Sequence, residues 1–532
     1  MHKCRRIGWL LALALVGVVG VGGAGAGPAW ARQPVGPDLL KDQDKPKPAE
    51  AYRPSVSEHE VTIGGAKVRY RVTAGLWPLM DDQLKAKARV FCVSYERLAD
   101  GPVEGDAPRP TLASKDPAKR AVTFAFNGGP GSSSVWLHLG ALGPRRVVMG
   151  PEGERLPTQG LRDNAFSWLD FTDLVFIDPV STGFSRALEG EDPKQFHGLD
   201  EDVRWVAEFI RLHLVRSQRW LSPKFLAGES YGTTRAAGLA SELQGKLGIN
   251  LSGIVLISPV LNFQTLSFDT GNDTPYWLFL PTYTATAFHH GRLAPPLNEK
   301  LERTIEQVQA WASSEYLMAL AQGDALAPAK RDQIAERLAA FTGLSVDYVK
   351  RANLRVPIFA FTKELLREQG RTVGRLDSRY VGIDRNQNGA STEFDPSYAA
   401  IQGPYTAALN AYVRGELKFE SDLNYEILTG NVQPWNYGPA RNRYADVAES
   451  LRSAMSQNTD LRVLACSGYF DLATPFYAMT YTMTHMGLDP KIRGNIRQTF
   501  YPSGHMMYVR EADLEKLKVD VAGFYSENPA LR

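Results

Sequence analysis

The chain runs to 532 residues, with 60 Lys and Arg against 58 Asp and Glu and a formal net charge of +2; that balance implies neither a nucleic acid nor an anionic membrane as a partner. Hydrophobic residues make up 44% and charged residues 22%, which suits a folded enzyme and not a disordered or fibrous chain. A chain of this length exceeds one small domain, so a core carrying an insertion is expected, without internal repeats.

Near the N-terminus, Lys3, Arg5 and Arg6 precede an apolar stretch, 7–26, and Pro28-Ala29-Trp30-Ala31 places small residues for cleavage after Ala31. Residues 1–31 therefore read as an export signal. An uncleaved anchor is the alternative, since about 20 apolar residues can span a bilayer, but the glycines within 19–27 favour cleavage. The pair Arg5-Arg6 lacks the flanks of a twin-arginine signal. Residues 32–56 are rich in Pro, Lys and Asp and too poor in apolar groups to bury, and read as a linker without fixed structure. After removal of the signal no membrane span is expected. Of the three cysteines, Cys4 falls in the signal. Cys92 and Cys466 could pair in an oxidising compartment, although one such bond is dispensable for a core of this size. Cys466, inside a strand, reads as a small buried hydrophobe.

Residues 61–63, 67–73 and 88–95 read as strands that open a sheet antiparallel. The run 121–126 is a further strand, and it delivers Asn127-Gly128-Gly129-Pro130-Gly131-Ser132-Ser133-Ser134, a glycine-rich loop whose amides can approach a ligand closely. That loop has no lysine and no G-x-x-x-x-G-K-[ST] pattern, which disfavours a phosphate site. Residues 173–177, 224–227 and 253–258 are short apolar runs, with helical stretches such as 200–214 between them; this is the pattern of a parallel sheet covered on both faces.

Strand 224–227 leads into Gly228-Glu229-Ser230-Tyr231-Gly232 and then into a small-residue helical segment, 233–240. A serine between glycines at a strand-to-helix turn is a nucleophile elbow, where the turn lifts the hydroxyl clear of the sheet and the helix N-terminus adds positive potential beneath it. The five-residue pattern recurs by chance, and an ordinary turn serine is the plain alternative; its place between strand and helix gives it weight. A hydroxyl needs a base and the base an orienting acid, and α/β-hydrolases carry them in the order serine, acid, histidine. One oxyanion amide comes from a glycine-rich loop and the other from the residue after the nucleophile, here Gly129 and Tyr231.

Beyond residue 262 helical patterns dominate, at 298–322, 327–341 and 345–352, and 263–439 is assigned to a cap inserted into a core formed by 57–262 and 440–532. Within it, Asp384-Arg385-Asn386-Gln387-Asn388-Gly389, with Asp395 at the twelfth place, resembles the first half of a calcium loop. The usual Glu is absent and a polar turn explains the segment as well; no metal or other cofactor is expected. The sheet resumes at 461–466 and ends in Ser467-Gly468-Tyr469-Phe470-Asp471, where an orienting carboxylate belongs; a helix N-cap is the plain alternative for Asp471. After 497–501, Ser503-Gly504-His505-Met506 places a histidine on a loop. His485 is its rival among nine histidines, but lies inside the helical stretch 477–486. Ser230, Asp471 and His505 stand in the required order.

Taken together, Asn127-Gly128-Gly129-Pro130-Gly131, Asp178-Pro179-Val180-Ser181-Thr182-Gly183-Phe184-Ser185, Gly228-Glu229-Ser230-Tyr231-Gly232 and Ser503-Gly504-His505-Met506 resemble the serine carboxypeptidase family, from about residue 57 to the C-terminus, as an exported bacterial member. Four motifs in order are far more specific than any one. The resemblance implies an α/β-hydrolase fold, with a mostly parallel central sheet covered by helices and an inserted helical cap. It implies hydrolysis of peptides with a free C-terminus through an acyl-enzyme on Ser230, with Asp471 and His505 completing the catalytic set and Gly129 and Tyr231 the oxyanion amides. It also implies that Asn127 and Glu229 bind the substrate's terminal carboxylate. A Glu can do so only by sharing a proton, because two adjacent anions repel and one pKa rises; acid pH is therefore expected to suit the reaction. A carboxylate that merely holds the elbow is the plain alternative for Glu229.

The chain departs from the family at Ser132, where a cysteine is usual, at Ala125, near a usual tryptophan, and at Ala141, in place of a glutamate that supports the acidic pair. An esterase or acyltransferase on the same three residues therefore stays open, as does a non-catalytic protein that binds through the cap cleft. The processed protein is expected in the periplasm or outside the cell.

Overall fold

A computed structural model describes residues 54–99, 116–158, 160–438 and 443–531. The expected export signal and nearly all of the expected linker lie outside the described residues, and the first strand begins at Ser55. β1 (Ser55–Ile63), β2 (Ala66–Met80) and β3 (Ala86–Arg97) form an antiparallel meander. They run longer than their apolar stretches because ladder bonds carry polar residues along on the outer face; β1 alternates exposed and half-buried positions until Val61.

β4 (Ala121–Phe126), β5 (Thr172–Ile177), β6 (Lys224–Glu229), β7 (Gly253–Ile257), β8 (Arg462–Gly468) and β9 (Ile496–Tyr501) follow. The order across the sheet is β1-β2-β3-β5-β4-β6-β7-β8-β9, and Arg186–Ala187 pairs off β3 as the tenth strand. β3 and β5 pair antiparallel; from β5 to β9 every pairing is parallel. This is the α/β architecture expected, a mostly parallel sheet with helices on both faces.

Alternation along each buried strand feeds two cores. Ala121 and Ala125 of β4, Phe225 and Ala227 of β6, and Val255 and Ile257 of β7 face one cluster. Val122, Phe124 and Phe126, Leu226, and Ile254 and Leu256 face the other. Both faces are covered, so these strands read as unbroken apolar runs. Helices α1 (Leu199–Ser217) and α2 (Tyr231–Leu247) close the second cluster, and helix Glu511–Ser526 lies against the first.

Between β7 and β8 the chain builds a helical layer with its own core, in which Trp277, Tyr283, Trp311, Leu338 and Phe361 pack together. Helix Thr274–His289 is buried nearly all round and carries Pro281 inside it. Farther along, Tyr405, Leu409, Tyr412 and Phe419 pack with Phe91 and Tyr95 of β3, so this part of the insertion belongs to the sheet's own core. Isolated bridges Ser132 to Leu428 and Gly183 to Glu426 stitch it to the loops after β4 and β5. Cys92 and Cys466 are buried free thiols, so the pairing left open above is not formed. Among the described residues no helix is long and apolar enough to cross a membrane.

Candidate active site

Parallel register brings the ends of β6, β7, β8 and β9 to one edge of the sheet: Glu229 lies beside Ile257, Ile257 beside Cys466, and Gly468 beside Tyr501. The three residues expected to carry the chemistry follow these ends. Ser230 comes directly after β6, at φ 59° and ψ −130°, a conformation costly for a side chain with a Cβ. Its N–H donates to Ile257 O at 3.0 Å and its carbonyl accepts from Thr233 N at 2.8 Å, which pins the turn. A Cβ on Gly228 would lie 2.3 Å from Gly232 O, so only glycine fits where the strand doubles back into α2. Ser230 occupies the N-cap of α2, yet its hydroxyl does not cap the helix. A serine there ordinarily bonds to the first-turn amides; this one makes no hydrogen bond to any described residue, His505 included, and is left half-exposed.

His505 Nδ1 and Asp471 Oδ2 are 2.7 Å apart. Asp471 is fully buried, and its Oδ1 accepts from the N–H groups of Ala473 at 2.8 Å and Thr474 at 2.9 Å, while Thr474 Oγ1 donates to Oδ2 at 2.7 Å. Asp471 therefore ties the turn and faces the His505 ring at once, but it does not cap the following helix Phe476–Thr484, whose N-cap is Pro475. The His505 backbone is held at both ends, its N–H donating to Leu376 O at 2.7 Å and its carbonyl accepting from Ser258 Oγ at 2.6 Å. Burial opposes an imidazolium here, but Asp471, by charge and by hydrogen bond, and then Glu229 hold the His505 pKa above the usual imidazole value. The rival His485 is exposed, with Nδ1 tied to Tyr481 O at 2.7 Å, and plays no part in this cluster.

The loop after β4 folds onto the elbow. A Cβ on Gly128 would sit 2.4 Å from Tyr231 N, a contact that no other residue permits. Tyr231 is the first residue of α2, so its amide has no intrahelical acceptor. Among the described residues, no backbone bond outside the regular elements uses the N–H of Tyr231 or of Gly129. Tyr231 is itself anchored by Trp435, whose Nε1 donates to its hydroxyl at 3.0 Å.

Asn127 and Glu229 meet behind the serine. Asn127 Oδ1 accepts from Leu137 N at 3.0 Å, and its carbonyl from Arg235 Nη1 at 2.6 Å, Arg235 being paired in the interior with Asp202 at 2.6 Å. Asn127 Nδ2 is buried without a hydrogen-bond partner, although its side chain is near enough to Glu229 to help lower that carboxyl's pKa. Glu229 is 3% exposed. Burial pushes its carboxyl up to about 7, against the pull of His505 and of the Tyr508 hydroxyl, which donates to Oε2 at 2.5 Å. Tyr508 therefore stands beside Glu229 as its hydrogen-bond donor, while Ala141 is buried in the apolar core. Ser132, at another departure, accepts a hydrogen bond from Trp136 Nε1 at 2.9 Å and donates to main-chain carbonyls.

Tyr508 and Thr474 were not singled out from the sequence, although each lies three residues beyond a residue that was. The calcium-like segment is organised by an internal cation instead. The Lys363 ammonium pairs with Asp384 Oδ2 and donates to Asn386 O, and Arg367 donates to the carbonyls of Gln387 and Gly389. Asp395 accepts from the N–H groups of Arg375 at 3.0 Å and Leu376 at 3.1 Å. The Asp384 carboxylate and the Asn386, Gln387 and Gly389 carbonyls are thus engaged by side chains and amides of the chain itself. Lys363→Met should cost about 3–5 kcal/mol in denaturant unfolding, because Asp384 would be left buried and unpaired; added calcium should leave the wild-type melting temperature unchanged.

A family model described as serine carboxypeptidase matches residues 111–527. Serine carboxypeptidase-like 19 of Arabidopsis thaliana is 27% identical over 203 residues, 36% of this chain and 39% of the relative. Pheromone-processing carboxypeptidase KEX1 of Coprinopsis cinerea is 33% identical over 144 residues, 26% of this chain and 22% of the relative. The chain thus spans well under half the length of these curated relatives. Among solved structures, Kex1(delta)p, a prohormone-processing carboxypeptidase from Saccharomyces cerevisiae, superposes with a TM-score of 0.52 at 15% identity, covering 86% of this chain and 91% of that one; this likeness is one of fold.

Proposed function

The chain belongs to the serine carboxypeptidase family, and from that premise we propose that it is an exported enzyme, periplasmic or secreted, that removes C-terminal residues from peptides through an acyl-enzyme on Ser230. His505 Nε2 takes the Ser230 proton as the hydroxyl attacks the scissile carbonyl, and the amides of Gly129 and Tyr231 receive the oxyanion. Asp471 keeps the Nδ1 proton in place and offsets the charge that develops on the ring. His505 then protonates the leaving amine, and water releases the acyl group by the same steps in reverse roles. The insertion, 263–439, serves as a cap that limits access to the cleft.

The observation that carries the carboxypeptidase reading is the pair behind the nucleophile: a buried carboxyl poised near neutrality at Glu229 and an unpartnered amide at Asn127 Nδ2. Below about 7 Glu229 carries the proton through which it can bind a second carboxylate, and as pH rises through that value the proton is lost. His505 works in the opposite sense, losing its base form as pH falls through a pKa held above the usual one. The two groups couple. The productive state for a peptide has both neutral, so kcat/KM should be bell-shaped, and activity on free-carboxylate peptides relative to blocked esters should climb toward acid pH.

The test is hydrolysis of matched N-blocked dipeptides, free or amidated at the C-terminus, from about pH 4 to 8, with Ser230→Ala as control. Faster release from the free-carboxylate form on the acid side, absent in the control, is the expected outcome. Glu229→Gln should remove the fall above about 7, with a peak lowered by about 10-fold. If it affects peptides and blocked esters alike, Glu229 does not bind the carboxylate. A second reading, esterase or acyltransferase, is favoured by Ala125 and Ala141; it would be adopted if peptides resist while a fluorophosphonate still labels Ser230.

A further inference from the structure

Near the reacting residues stands a cation, Arg375, whose side chain has no hydrogen-bond or ion-pair partner among the described residues. Arg375 lies just after the short strand Thr372–Val373, in a segment bolted to both catalytic loops. Its N–H donates to Asp395 Oδ1 at 3.0 Å, and its carbonyl accepts from Leu472 N at 3.1 Å, one residue beyond Asp471. The next carbonyl, Leu376 O, accepts the His505 N–H at 2.7 Å, and Asp377 Oδ2 accepts the Gly504 N–H at 3.0 Å. The Arg375 backbone is therefore fixed with respect to both Asp471 and His505.

Its side chain is half-buried and makes no hydrogen bond, ion pair or ring contact with any described residue. Neighbouring Arg379 shows the contrast: its guanidinium pairs with Asp377 at 2.7 Å and lies over the Phe470 ring. The Arg375 charge is felt at His505, where it opposes the imidazolium. No anion of the cleft is free to answer it. Asp471 is consumed by His505, Thr474 and two amides, and Glu229 carries its proton in the state that binds a peptide terminus. A guanidinium presents five donors in a rigid fork that matches a carboxylate. Half-buried and without a partner among the described residues, it keeps its donors available for an anion.

We propose that Arg375 is a specificity-determining residue that selects substrates with an acidic side chain on one of the two residues flanking the scissile bond. This rests on the carboxypeptidase reading, in which Asn127 and Glu229 already hold the terminal carboxylate and leave Arg375 for a side-chain carboxylate.

The experiment compares N-blocked dipeptides carrying Glu or Gln at the last or at the penultimate position, on the full protein and its Arg375→Gln and Arg375→Lys variants. The wild type should prefer Glu over Gln at one of these positions by about 10- to 100-fold in kcat/KM, the range of a charge-assisted hydrogen bond. Arg375→Gln should bring that ratio to about one, and Arg375→Lys should restore part of it. The rate of Ser230 labelling by a fluorophosphonate reports whether the catalytic residues themselves are intact. An unchanged Glu to Gln ratio in Arg375→Gln at both positions, or no preference in the wild type, overturns the proposal. So does a loss confined to the free against the amidated form of apolar peptides, which would give Arg375 the terminal carboxylate. If no peptide is cleaved while Ser230 is still labelled, the peptidase reading has failed separately. The same Glu to Gln comparison on N-blocked aminoacyl esters then decides the role of Arg375.

Discussion

Ser230→Ala should lower kcat by on the order of 10⁶-fold while leaving the folded protein intact. The hydroxyl removed makes no hydrogen bond to any described residue, and the replacement keeps the same backbone demand at φ 59°, so the melting temperature should stay close to that of the wild type. His505→Ala should cost a similar factor, and the double variant little more, because a nucleophile without its base and a base without its nucleophile fail together. Single-turnover rates on an activated ester, with circular dichroism and thermal melts alongside, check all three proteins. A residual rate within about 100-fold of the wild type in Ser230→Ala would remove Ser230 from the reaction.

Asp471→Asn should lower kcat by about 10⁴-fold, through the tautomer of the histidine. The backbone N–H groups of Ala473 and Thr474 both point at Oδ1, so an asparagine must keep its carbonyl oxygen there and turn its NH₂ toward His505 Nδ1. The ring would then carry its proton on Nε2 and could not accept one from Ser230. Removing the carboxylate also takes away the charge that holds His505 above the usual imidazole range and leaves burial unopposed by it. The acid limb of what activity remains should therefore move to lower pH. A pH profile of kcat/KM on a blocked ester, with the fluorophosphonate labelling rate measured in parallel, checks both effects. A loss smaller than about 10-fold would mean that Asp471 holds the turn and nothing more.

Much of this site was legible because its parts are local. The elbow, the loop after β4 and the ends of β8 and β9 are each a strand followed within a few residues by glycine and a reactive side chain, and the strands are unbroken apolar runs because both faces are covered. Helix Thr274–His289 escaped sequence reading for the converse reason. It is apolar nearly all round, so it shows no one-sided stripe, and Pro281 reads as a breaker. Two of its buried threonines meet their polar demand inside the helix, Thr284 donating to Leu280 O at 3.0 Å and Thr286 to Thr282 O at 2.8 Å. Helix Pro396–Ala411 buries one face, but Pro404 inside it likewise reads as a breaker. Asp384 and Asp395 carried a spacing that fits a metal, and sequence spacing could not reveal that Lys363, some twenty residues earlier, supplies the cation.

From its sequence alone, then, the chain marked the candidate residues and the strand ends that carry them, since turn sterics and strand burial act over a few neighbouring residues. Tertiary structure alone decided what surrounds them. The pKa values of Glu229 and His505 depend on burial and on charges brought together across the sheet edge. The partnership of Glu229 with Tyr508 spans 279 residues, and Arg375 comes to stand by His505 through hydrogen bonds from a different part of the chain. Electrostatics and desolvation act through space, over distances that a reading of neighbours along the chain does not contain.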